Sequence, residues 1–163
     1  MGEVIIMRGP AGSGKSTWVE ENCPDAVVVS ADQFFIQTEY FQRIEGMDGG
    51  PTGSREVYDF DITKLAEAHQ DCLCRFIDAL ITKEAQIVVD NTNIHYWEYD
   101  SYFKLARNYS YEVRIVEFRP KTLNDIDTCI QRNTHNVPKE IVTKMCLEFE
   151  ADPRSSEIYE ITS

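Results

Sequence analysis

Apolar residues fall along this chain in short continuous runs, separated by longer stretches in which they recur every three or four positions. Val4-Ile5-Ile6-Met7, Ala26-Val27-Val28-Val29 and Ile87-Val88-Val89 are runs of the first kind. They are too short for helices and apolar on both faces, as strands inside a parallel sheet must be. Tyr111 to Phe118 alternates with period two and predicts a fourth strand. From Asp61 to Thr82, the residues Ile62, Leu65, Ala68, Cys72, Phe76 and Leu80 lie at helical spacing, with Asp61 placed to cap the start. Helices are also expected from Ser16 to Glu21, Trp97 to Asn108, Leu123 to Arg132 and Pro138 to Phe149. Phe34 to Ile44 reads as helical or irregular, and the glycine-rich stretch 46–54 as a loop. Residues 151–163 carry few signals and read as a loose tail or an added edge strand.

Strands alternating with helices build right-handed βαβ units. The expected fold class is therefore α/β: a three-layer αβα arrangement of P-loop NTPase type, with a mostly parallel sheet of four to five strands and a lid from the last two helices. Ligands in such sheets bind beyond the carboxyl ends of the strands. A chain of 163 residues, 42% hydrophobic, has the size of one domain spanning 1–163. No apolar run approaches the length of a membrane span, and Met1–Glu3 leads into the first strand without a basic leader, so a cytoplasmic protein without membrane contact is expected. The odd number of cysteines, without CxxC spacing, reads as reduced core thiols.

The chemistry is concentrated after the first strand. Gly9-Pro10-Ala11-Gly12-Ser13-Gly14-Lys15-Ser16 fits G-x-x-x-x-G-K-[ST] between a strand and a helix, the context the motif requires. Gly9, Gly12, Ser13 and Gly14 let backbone N–H groups turn toward phosphate, and the helix that starts at Ser16 and Thr17 adds its positive end. Lys15 reaches the β and γ oxygens, and Ser16 offers a hydroxyl to Mg²⁺. ATP and Mg²⁺ are thus the expected ligands. Asp90, ending the run Ile87–Val89, suits a Mg²⁺-holding acid, the alternative being a cap for the following helix. Asp32, just past the second strand, suits a general base facing the γ-phosphate, or again a cap. Arg132 precedes the polar break Asn133-Thr134-His135-Asn136 and is the leading lid cation, with His135 a weaker one read as solvated.

Net charge changes the picture of the acceptor. At −12 the chain cannot carry a broad basic coat for polyanions, although the stretch from Lys104 to Lys144 holds more bases than acids and allows a local basic cleft.

With these residues in hand, the chain resembles the kinase domain of the polynucleotide 5′-hydroxyl kinase family, in its bacteriophage branch and its eukaryotic Nedd4-binding-protein relatives. The resemblance rests on Ile5–Trp18, Ser30–Phe35, Ala68-His69, Val89–Asn93, Tyr109–Val113 and Arg132–Pro138, in order, over about residues 4 to 150. It implies Asp32 as general base, Lys15 and Ser16 as phosphate and Mg²⁺ ligands, an essential Asp90, Arg132 as lid arginine, and DNA or RNA as substrate. A kinase of hydroxymethylated bases, a small-molecule or nucleoside kinase, and an ATP-binding regulatory module stand as alternatives. Two departures bear on the acceptor. Phe35 stands where the phage enzymes carry a phosphate-binding arginine, and the lid is shorter, without a second arginine. Arg55 is a candidate substitute for the lost phosphate contact.

Overall fold

The computed structural model describes residues 2–41 and 53–161. In chain order it contains β1 (Glu3–Arg8), α1 (Lys15–Asn22), β2 (Val27–Val29), β3 (Ile36–Phe41), β4 (Gly53–Tyr58), α2 (Leu65–Ile81), β5 (Gln86–Asp90), α3 (Tyr96–Asn108), β6 (Glu112–Arg119), α4 (Leu123–Arg132), α5 (Lys139–Glu148) and β7 (Glu157–Glu160). Five of the strands form one parallel sheet in the order β2-β5-β1-β6-β7. Placing β1 at the centre sends the chain outward on both sides, and the crevice above its carboxyl end is where the glycine-rich loop lies.

Alternation along β1 divides the core. Val4 and Ile6 join Phe76, Leu80, Tyr99 and Tyr102 of α2 and α3 on one face. Ile5 and Met7 join Trp18 and Val19 of α1, with Val116 and Phe118, on the other. A third cluster, Cys129, Val142, Cys146 and Ile161, ties α4 to α5 and touches Ala11 of the glycine-rich loop. Four of the five cysteines are buried, and Cys74 is exposed.

Three sequence expectations change. Of the segment Phe34–Ile44, the described part, through Phe41, is not an α-helix: Ala31–Phe35 is a short 3-10 helix that runs into β3, which pairs antiparallel with β4, and residues 42–44 lie outside the described residues. Ser30 and Gln33 close that short turn reciprocally, and the β-branched and aromatic residues after it take the extended form once β4 supplies a partner. Of the expected loop, residues 46–52 lie outside the described residues, while Gly53 and Ser54 begin β4. The long helix starts with one 3-10 turn at Ile62–Lys64, where Asp61 Oδ1 accepts from Thr63 N at 2.9 Å. The C-terminal segment is an edge strand, its register fixed by Val116↔Glu157 through Arg119↔Glu160.

A buried charge network fastens the end of β1. Arg8 and Glu117 are both fully buried and paired at 2.6 Å. The Arg8 guanidinium also donates to the carbonyls of Asn93, Ile94 and Glu150, and lies 4.5 Å from the Tyr99 ring centroid and 4.8 Å from that of Phe149. Glu117 Oε1 accepts from Asp152 N at 2.7 Å, and the Asp152 carboxylate in turn accepts from Tyr99 Oη at 2.6 Å and from Arg154. Burial alone would raise the Asp152 carboxyl, but the hydrogen bonds from Arg154 and Tyr99 outweigh it and hold it down at about 2. A carboxyl depressed in the folded state adds stability that is complete above its ordinary value near 3.8 and is lost as pH falls toward 2. Asp152→Asn is therefore expected to cost about 2 kcal/mol at neutral pH and to flatten the loss of stability between pH 4 and 2, as read by urea unfolding across that range.

Candidate active site

The loop from Gly9 to Gly14 wraps the N-terminus of α1. Gly14 caps that helix at φ 107°, a left-handed conformation that side chains other than glycine's rarely adopt. Gly12, also left-handed at φ 78°, packs so closely under α4 that a Cβ there would lie 2.1 Å from the Cys129 carbonyl oxygen. The left-handed backbone accounts for glycine at both positions, and at Gly12 the close approach to α4 adds to it. Lys15 is buried and donates to the carbonyls of Gly9 and Pro10, at 2.9 and 3.0 Å. Burial pushes its ammonium below the ordinary lysine value, opposed by the charges of Asp90 and Asp32. Ser13 Oγ is buried with no hydrogen-bond partner among the described residues. A buried hydroxyl left unsatisfied beside a ring of backbone amides fits an anion that completes its bonding.

Ser16 and Thr17 face solvent at the start of α1, and Ser16 Oγ donates to Asp90 Oδ2 at 3.0 Å. Burial pushes the Asp90 carboxyl up, Lys15 and Ser16 pull it down, and the nearby Asp32 charge raises it again. Neither carboxylate is spent on the cap that the alternative reading assigns it. Ser30 caps the 3-10 helix that contains Asp32, and at α3 the Glu98 carboxylate accepts from His95 N at 2.8 Å. No group of three or more His, Cys, Asp or Glu among the described residues could hold a metal alone. A hydroxyl and one carboxylate do fit Mg²⁺, which keeps waters and shares its shell with substrate phosphates.

The residues after Asp90 hold the parts in register. Asn91 Oδ1 accepts from Ala31 N at 2.8 Å, tying the Asp32 turn to β5. The Thr92 carbonyl accepts from Gly9 N at 2.9 Å, and the buried Asn93 side chain donates to the Met7 carbonyl at 2.9 Å. The three residues Asn91–Asn93 thus link β1, the phosphate loop and the acid at its mouth. From α2, Arg75 donates to the Ser30 carbonyl and to Gln33, bracing the same turn.

Two residues that sequence reasoning did not assign lie beside Asp32. Tyr58 Oη donates to Asp32 Oδ1 at 3.1 Å, and His135 Nε2 stands 3.8 Å from Asp32 Oδ2. The Tyr58 and His135 ring centroids are 4.8 Å apart. His135, read from sequence as a solvated loop residue, closes over the acid from the α4–α5 connection. No local signal carries that contact, because Tyr58, His135 and Asp32 come from three distant segments. Arg132, exposed at the end of α4, makes no hydrogen bond or ion pair among the described residues. Arg55 is exposed in β4, and strand alternation sets it on the opposite face from Tyr58.

The fold and this site define a P-loop kinase-like domain. The chain belongs to the family described as AAA domain, whose profile matches residues 4–151. Among its relatives, NEDD4-binding protein 2 of Homo sapiens is 31% identical over 156 residues, covering 90% of this chain. That match takes in 8% of the relative, so the chain spans under a tenth of that protein's length. Among solved structures, a gluconokinase from Sinorhizobium meliloti superposes with a TM-score of 0.57 at 17% identity, covering 99% of this chain and 83% of that one. The APS kinase of Mycobacterium tuberculosis, in complex with AMPPNP and APS, gives 0.57 at 16% identity, covering 99% and 90%. Identities this low establish the shared fold. Among the described residues no helix is long and apolar enough to cross a membrane.

Proposed function

We propose that this chain is a kinase that transfers the γ-phosphoryl group of ATP to a hydroxyl carried by nucleic acid, the 5′-hydroxyl end of DNA or RNA. The observation that carries the reading is the carboxylate of Asp32, held by Tyr58 at the mouth of the phosphate loop and close enough to Lys15 and Asp90 for their charges to act on one another. Asp32 accepts the proton of the acceptor hydroxyl as its oxygen attacks the γ-phosphorus, and the β–γ bridging oxygen leaves with ADP. The amides of the Gly9–Gly14 loop and α1, with Ser13, Lys15 and Thr17, bind the β- and γ-phosphates. Lys15 gives up its contacts with the loop carbonyls to do so. Ser16 and Asp90 would hold Mg²⁺, which when bound neutralises charge on the phosphate oxygens. Arg132 is the lid cation, and its exposure leaves it able to swing over the transferring group.

The choice of nucleic acid rests on the resemblance to polynucleotide kinases carried by the motifs at Ser30–Phe35, Asp90–Asn93 and Arg132–Pro138. The experiment is transfer of labelled γ-phosphate, with Mg²⁺, to four acceptors: 5′-hydroxyl DNA, 5′-hydroxyl RNA, duplex DNA containing hydroxymethylpyrimidine, and free nucleosides. Labelling of either end-bearing polymer is expected. Labelling confined to the modified duplex or to nucleosides would overturn the assignment of the acceptor.

A further inference from the structure

Among the described residues, two rings stand beside Asp32, those of Tyr58 and His135. Phe35, 3% exposed, anchors the Tyr58 ring from beneath, with ring centroids 6.1 Å from Tyr58 and 5.1 Å from Phe60. Tyr58 and Phe60 lie nearly parallel, 12° apart in plane with centroids 6.4 Å apart. His135 leans on Tyr58 from the other side. Phe60 is 49% exposed although it packs on the buried Phe35, so an apolar face is left open beside Tyr58, which holds the acid. A phenyl ring held in place on a buried partner and left half in water is poorly used by the fold itself. It suits a planar ligand that covers it.

Geometry restricts what that ligand can be. The acceptor hydroxyl must reach Asp32, so the remainder of the acceptor lies against whatever surrounds the acid, and two of its near neighbours, Tyr58 and His135, are rings. A compact polyanionic or sugar-acid acceptor calls for cations there. Among the described residues, Lys15 is reserved for the nucleotide phosphates and Arg132 for the transferring group, and Arg55 lies on the opposite face of β4. A heteroaromatic base attached to the sugar that bears the hydroxyl instead finds faces on which to stack, without sequence preference, because every base has a π face.

We propose that Tyr58, Phe60 and His135 form a stacking platform for the terminal nucleobase of the acceptor, with Tyr58 also positioning Asp32 through its hydroxyl. This rests on the nucleic-acid reading above. The platform replaces a phosphate contact as the source of acceptor affinity, which suits a chain of net charge −12.

The test compares two 5′-hydroxyl oligonucleotides of the same sequence, one intact and one whose 5′-terminal nucleotide carries tetrahydrofuran in place of the nucleoside. The hydroxyl is kept and only the base is missing. KM for the abasic acceptor is expected to rise roughly five- to a hundredfold with KM for ATP unchanged. Phe60→Ala should raise KM for the intact oligonucleotide by a similar factor and leave the abasic one alone, and Phe60→Trp should restore it. Thermal melting of both variants near the wild-type temperature checks that the exposed site tolerates the change. Equal KM values for the two acceptors, or a Phe60→Ala defect of equal size on both, overturns the platform and leaves the kinase assignment standing. If neither oligonucleotide is labelled, the nucleic-acid reading itself falls, and the platform with it.

Discussion

Asp32→Asn is expected to lower the rate of phosphoryl transfer by roughly 10²–10⁴-fold with ATP affinity nearly unchanged. The amide is isosteric and keeps an oxygen to accept the Tyr58 hydroxyl, so the 3-10 turn and its capping by Ser30 and Gln33 survive. What it lacks is a basic oxygen for the proton of the acceptor hydroxyl. Since Asp32 stands outside the loop that wraps the phosphates, the variant separates chemistry from nucleotide binding. Single-turnover kinetics with saturating ATP measures the first, and titration with a fluorescent ATP analogue the second. A loss of only a few-fold in rate would mean that Asp32 is a structural acid and that the proton leaves by another route.

Arg8→Met is expected to destabilise the fold by roughly 3–5 kcal/mol, the range for breaking a buried ion pair from one side. Glu117 is fully buried, and although Arg119 donates to its other oxygen, Oε1 would keep only the Asp152 amide. The carbonyls of Asn93, Ile94 and Glu150 lose a donor at the same time. Methionine fills the space between Tyr99 and Phe149 but satisfies none of these groups. At this chain length the change corresponds to a fall in melting temperature on the order of 10 °C. Combining it with Glu117→Gln removes the stranded charge and should recover part of the loss. Because Arg8 immediately precedes Gly9, the same variant loosens the phosphate loop, and its ATP affinity should fall even where it remains folded. Calorimetry of the single and double variants decides the matter, since equal melting temperatures for wild type and Arg8→Met would show that the pair adds nothing.

How much of this was readable in the chain depends on how local the determining contacts are. The sheet centre was legible because β1 and β5 are apolar on both faces, and the phosphate loop because a glycine pattern between strand and helix admits few other conformations. The segment after Phe34 was misjudged because Phe34-Phe35-Ile36 is equally compatible with a helix and a strand. The deciding factors were a capping box at Ser30 and a partner strand beginning at Gly53. β7 was left open for a related reason: Glu157-Ile158-Tyr159-Glu160 is short, acidic and exposed on an edge, and only pairing with β6 makes it a strand. Asp32 and Asp90 were singled out by their position at strand ends, a property of topology. Tyr58 and His135 were not assigned, because a tyrosine in a hairpin and a histidine in a loop carry no sign that they will meet the same carboxylate. Arg8 likewise reads as the polar end of a strand until the fold delivers Glu117 and three carbonyls to it.

The most direct test of the account is to locate the transferred phosphate. A 5′-hydroxyl oligonucleotide is incubated with γ-labelled ATP, Mg²⁺ and the protein, then digested to mononucleotides, with Lys15→Ala in parallel. The account predicts all label on the 5′-phosphate of the terminal nucleotide and none with the variant. Unlabelled nucleic acid from a protein that still binds ATP, or label equal in wild type and Lys15→Ala, would contradict it.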